Sequence, residues 1–157
     1  MNEYSFRTLW HLDAPVDTVW DAIVSTQMDP RWWPFIERVT ETVAGEPSGV
    51  GSTRRYIWRT KLPYKLSFDI HVTRVDRPVL LEGLISGEVE GIGRWEFEPQ
   101  GSTTIIRHLW NVRIAKRWMN SLAPAMTPVF AWNHEQVMKA GGEGLARFLG
   151  VRLISSG

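Results

Sequence analysis

The sequence predicts an α+β domain in which seven antiparallel strands are followed by one long C-terminal helix. Strand-length alternations, separated by turn residues, recur at short intervals from 52 to 115. From Met119 to Phe148 apolar side chains return at steps of mostly three and four. Nine Trp in 157 residues exceed what a core of this size needs, and Trp10, Trp58, Trp95 and Trp110 fall inside the alternating segments. Large amphipathic rings spaced along strands point to a lined cavity rather than a solid core.

The elements follow in order. Residues 3–13 place Tyr4, Phe6, Thr8, Trp10 and Leu12 on one side, opposite Ser5, Arg7, His11 and Asp13, with Leu9 an exception. Asp13 is expected as the N-cap of a first short helix with Pro15 in its first turn, and Val16, Val19, Trp20 and Ile23 follow at helical spacing. Asp29 is expected to cap a second short helix that opens on Pro30 and ends near Pro34. Strands are then expected over 39–43, 52–61, 64–76, 79–86, 88–98 and 103–115.

The helical stripe comprises Met119, Leu122, Ala123, Met126, Phe130, Asn133, Val137, Gly141, Leu145 and Phe148. Pro124 and Pro128 predict a kink or a late start, because proline removes a helix donor and clashes with the preceding turn. Gly150 is the expected stop. Residues 154–157 read as a frayed tail.

Composition bounds the function. One domain, 1–157, accommodates a chain that is 43% hydrophobic and 22% charged. A formal net charge of +1 makes no global case for nucleic acid or an anionic membrane. The absence of Cys excludes disulfides and suits a reducing cytoplasm, the expected location. No basic stretch followed by an apolar run opens the chain, and no apolar segment approaches the roughly 20 residues that span a bilayer.

The stretches Leu12-Asp-Ala-Pro-Val-Asp-Thr-Val-Trp-Asp-Ala-Ile23 and Asp29-Pro-Arg-Trp-Trp-Pro34, with the closing helix from Leu122 to Leu149, carry a family likeness. The order of elements across nearly the whole chain resembles the helix-grip superfamily, the START-related and birch-pollen-allergen-like proteins (SRPBCC). Within it the chain is similar to the polyketide cyclase/dehydrase-like branch. The resemblance implies a curved seven-stranded sheet wrapped around the long helix, an apolar cavity between them, and two short helices closing one end. One fold hosts many activities, so function does not follow from it.

Strand parity and helix face nominate Trp10, Tyr56, Trp58, Phe68, Ile70, Trp95, His108, Trp110, Met126, Phe130 and Asn133 as ligand-binding lining, with Trp33 in a lid. His108 and Tyr56 are the weak catalytic candidates, and Asn133 is placed to orient a carbonyl or hydroxyl. No carboxylate is spaced to tune His108, which favours a bonded structural histidine. Arg54, Arg55, Arg59 and Lys61 interleave with Tyr56 and Trp58, yet alternation sends most of the cations to the opposite face, so they read as a solvated surface.

Other motifs fail. His134-Glu135 lacks a His at Met138, and His11, His71, His108 and His134 have no ligand spacing, so no metal or other cofactor is expected. Ser86 is one place late for a nucleophile elbow, and Gly91-Ile-Gly93 lacks the third glycine of a dinucleotide loop. Those two glycines are expected to permit strand bending or close packing against the helix.

The expected function is binding of a small hydrophobic molecule, aromatic or lipid-like, as a carrier or sensor. The alternatives are a polyketide cyclase/dehydrase-type enzyme and a groove for a partner protein. Neither nucleic acid nor membrane insertion is expected, and oligomeric state is left open.

Overall fold

Alternation builds the sheet. In the computed structural model, which describes residues 3–25 and 30–157, the strands are β1 (Glu3–Leu12), β2 (Ile36–Val43), β3 (Thr53–Arg59), β4 (Lys65–Asp76), β5 (Leu80–Gly87), β6 (Val89–Gln100), β7 (Thr103–Ile114) and β8 (Leu153–Ser156). They form one sheet in the order β2-β3-β4-β5-β6-β7-β1-β8, and every neighbouring pair is antiparallel. The expected frayed tail is therefore an eighth strand. It pairs Trp10 with Ser156 and His11 with Ser155, and covers an edge of β1 that would otherwise present bare backbone donors.

Two short helical segments follow β1: α1 (Val16–Trp20) and a single π-helical turn, Asp21–Ser25. Pro15, not Asp13, occupies the N-cap, with no side-chain cap bond. The backbone N–H of Asp13 instead donates to the Arg152 carbonyl beyond the last helix. The second short segment thus lies at 21–25 rather than at the Asp29–Pro34 position. Asp29 is outside the described residues, and Pro30–Phe35 form turns.

Helix α2 (Arg117–Leu149) starts before both prolines and continues through them, so the late start does not occur. It ends where Gly150 adopts the left-handed conformation (φ 68°) and donates to Ala146 and Arg147 carbonyls. Its C-terminal half is buried through Val137, Met138, Gly141, Gly142, Gly144, Leu145 and Ala146. Leu122 and Phe148, assigned to the apolar face from their spacing, are 51% and 43% exposed. They mark the borders of that face.

The sheet curves around the helix. Phe68 on β4 and Trp110 on β7 are separated in the sheet by β5 and β6, a span of roughly 14 Å if flat. Their ring centroids nevertheless lie 5.4 Å apart. Gly83 and Gly93 are paired directly on β5 and β6, and neighbouring side chains lie over both. A Cβ on Gly93 would meet the Trp110 ring at 3.2 Å and Ile85 at 3.3 Å, so this glycine packs within the sheet rather than against the helix.

Candidate functional site

Between the concave sheet and α2 lies a cavity of about 650 Å³, within the range of pockets that enclose small organic molecules. Strand parity positions its walls. Arg54, Tyr56, Trp58 and Thr60 share one face of β3 and its continuation, and Leu66, Phe68, Ile70 and Val72 share one face of β4. His108, Trp110, Val112 and Ile114 do so on β7, while Phe130, Asn133, His134 and Val137 close the space from α2.

Ten of the twelve residues nominated from the sequence line this cavity: Trp33, Tyr56, Trp58, Phe68, Ile70, Trp95, His108, Trp110, Phe130 and Asn133. Two do not. Met126 is half-buried on α2 away from the wall. Trp10 points inward as its parity requires, but the space opposite it is filled. It is 1% exposed and its Nε1 donates to the Met138 carbonyl at 3.1 Å.

Trp33 is a wall and not a movable lid. Its Nε1 donates to the Val137 carbonyl at 2.8 Å. Its ring meets Trp10, Trp32, Trp58 and Trp95 at centroid distances of 5.6, 5.3, 5.0 and 6.2 Å. The helix accepts these rings because of three glycines. Gly141 and Gly142 stand one turn after the two accepting carbonyls, where any side chain would overlie them. A Cβ would strike the Trp33 ring at Gly141, the Trp10 ring at Gly142 and the Trp32 carbonyl at Gly144.

The polar groups of the cavity are few. His108 lies between Trp95 (4.2 Å) and Trp110 (5.6 Å), and its ring parallels that of His134 at 6.5 Å. Burial, and secondarily the repulsion of His134, pushes the His108 imidazole down to about 3, and burial pushes His134 to about 4. Both are neutral at physiological pH. Burial raises the Tyr56 phenol to about 12, opposed by the charge and hydrogen bond of Arg54. That arginine also reaches Glu41, Nη2 to Oε1 at 3.4 Å.

Four cavity-lining polar atoms are buried with no hydrogen-bond partner among the described residues: His108 Nδ1, Asn133 Oδ1, Trp58 Nε1 and Arg54 Nε. Buried polar atoms are nearly always partnered, because an orphan costs about 1–3 kcal/mol. Three of these residues, Trp58, His108 and Asn133, stand where strand parity and helix face placed them.

Sequence reasoning missed Arg54 and His134. Arg54 has the parity of Tyr56 and Trp58, so it faces inward while Arg55 pairs outward with Asp69. His134 is four residues after Phe130 and three before Val137, hence on their stripe. Its ring stacks on Phe6 at 4.3 Å.

A curved antiparallel sheet gripping a long helix over an aromatic cavity defines the helix-grip class. The chain belongs to the family described as polyketide cyclase / dehydrase and lipid transport, whose model matches residues 5–150. Its fold is similar to the TTHA0849 protein of Thermus thermophilus, with a TM-score of 0.71, 17% identity, and 92% of this chain and 99% of that one covered. It is also similar to the ZhuI aromatase/cyclase of Streptomyces sp. R1128, with a TM-score of 0.71, 14% identity, and coverage of 95% and 94%. Norcoclaurine synthase of Thalictrum flavum shares the fold at a TM-score of 0.63 and 12% identity, with 94% of each chain covered. No curated protein matches the sequence.

Proposed function

We infer that the chain binds a small, mostly apolar, ring-bearing molecule in the cavity between sheet and α2. The observation that carries this reading is the set of four buried polar atoms without partners, all on the wall of one aromatic cavity. A solid core selects against such orphans, whereas a ligand with a few polar groups satisfies them on binding. His108 Nδ1 and Asn133 Oδ1 suit a hydroxyl or amide, and Trp58 Nε1 suits an acceptor. Apolar burial supplies most of the affinity, at about 25 cal/mol per Å².

The test uses stability and affinity together. Native mass spectrometry of the purified chain identifies retained material, and tryptophan fluorescence follows saturation by it or by flat phenolic probes. Asn133→Leu removes an orphan acceptor, so it leaves the melting temperature of the empty chain unchanged or raised. It weakens binding of a ligand that uses Oδ1 by about 5–150-fold, the equivalent of ~1–3 kcal/mol. A loss of stability with unaltered affinity would sink the reading.

A second reading, a polyketide cyclase/dehydrase, is favoured by one feature: His108 lines the cavity with Nδ1 unpaired among the described residues, available to a substrate proton. In that case His108→Gln abolishes turnover and spares affinity. A pure carrier shows no product with either variant.

A further inference from the structure

Residues 118–133 of α2 carry no charged side chain. One side of this segment faces inward: Met119 and Ala123 are buried, and Phe130 lines the cavity. The flank beside it is equally apolar. Trp118, Leu122, Ala125, Val129 and Trp132 recur at steps of four and three, so they form one stripe roughly 21 Å long. Trp118, Leu122 and Trp132 are 46%, 51% and 45% exposed. No element among the described residues buries them, and a contiguous apolar face of this kind marks an interaction surface.

The N-terminal end of the stripe is basic. Trp118 packs edge-on against Tyr64 at 5.2 Å, with Lys116 Nζ over its ring at 5.6 Å. Tyr64 belongs to the turn between β3 and β4, which also presents Lys61, Leu62 and Pro63. Lys65 and Lys116 are committed to Glu37 and Glu88. Lys61 and Arg117 are exposed and have no ion pair among the described residues.

Two exposed indoles, an aliphatic stripe between them and unpaired cations at one end match the chemistry of a lipid headgroup boundary. Indoles partition there, the apolar face sinks below the headgroups, and Lys and Arg add attraction to anionic lipid. A second copy fits less well. One helix face of this length offers each partner a few hundred Å², against about 800 Å² in a standard interface.

We propose that this face of α2, with the β3–β4 turn, docks the chain on the surface of an anionic lipid bilayer. The contact is peripheral, since no helix among the described residues is long and apolar enough to cross a membrane. Tyr64 lines the cavity on one side and touches Trp118 on the other, so docking sets the seam between turn and helix against the lipid. A role of that seam in ligand exchange rests on the cavity reading above; docking itself does not.

The test is co-sedimentation of the full chain with vesicles of phosphatidylcholine alone and of phosphatidylcholine with phosphatidylglycerol, at low and high salt. The chain sediments with the anionic vesicles, and high salt weakens this. At roughly fivefold per basic residue, K61Q/R117Q lowers the partition coefficient about 25-fold. W118S/W132S abolishes sedimentation while the fold and soluble ligand uptake persist. Absence of binding to anionic vesicles, or binding unaltered in both double variants, overturns the proposal. So does a dimer in sedimentation velocity that W118S/W132S converts to monomer, which assigns the face to a second copy. Vesicle binding by a chain that takes up no ligand supports docking and refutes the cavity reading alone.

Discussion

Burial holds two imidazoles of this chain neutral, and that has a sign. Unfolded, His108 and His134 titrate near the ordinary 6.5; folded, they resist protonation until about 3 and 4. As pH falls from about 6.5 the unfolded state takes up protons that the folded state refuses, so stability declines. Above that range both states are neutral and these groups contribute no slope. His108 alone accounts for up to ~1.4 kcal/mol per pH unit inside the window. Urea midpoints measured from pH 8 to 4 are expected to fall below about 6.5, and His108→Gln flattens the fall. A midpoint independent of pH down to 4 would mean that the ring is solvated. Parity alone placed His108 on the inner face of β7. Its depth and the parallel ring of His134 required α2 to be in place.

At the scale of elements, the contact between α2 and the turn at 30–35 is closely fitted. Its helix side is glycine and its other side is indole. Gly141→Ala gains up to ~1 kcal/mol of helix propensity. The new Cβ, however, lies 2.5 Å from Cε2 of a Trp33 ring that is bonded to Val137 and stacked on Trp32, so it cannot retreat. Overpacking of this kind costs about 1–3 kcal/mol, and net destabilisation in chemical denaturation is expected. Unchanged or increased stability would show that Trp33 moves freely, restoring it as a lid. The amphipathic repeat of α2 was legible, because a period of 3.6 is a property of the helix itself. The continuity through Pro124 and Pro128 was not, since tertiary contacts hold this segment: Ala123 is fully buried and its carbonyl accepts from Tyr4 and Thr127 hydroxyls.

For the whole molecule, β8 completes the sheet at β1. Leu9 and Gly157 exchange both backbone hydrogen bonds, at 3.2 and 2.8 Å. Deleting residues 153–157 leaves an open edge next to buried Trp10 and Leu12. The truncated chain is expected to melt lower and to form larger species than the intact chain on size exclusion, as unprotected edges do. If both are unchanged, β8 only decorates the sheet. Four residues, Leu-Ile-Ser-Ser, are too short and too polar to announce a strand. Only β1, nearly the whole chain away in sequence, makes them one.

Local sequence determined which side of each strand and helix faces inward, because parity and helical period follow from backbone geometry. That sufficed for the fold class, seven of the eight strands and most of the aromatic side chains of the cavity wall nominated from it. The tertiary structure alone decided whether an inward residue meets a void or a solid core. Trp10 and Trp33 meet the helix at Gly142 and Gly141 and are clamped to its carbonyls, while Trp58 and Trp110 line the cavity. That difference lies in what the opposite element brings, which no local pattern contains.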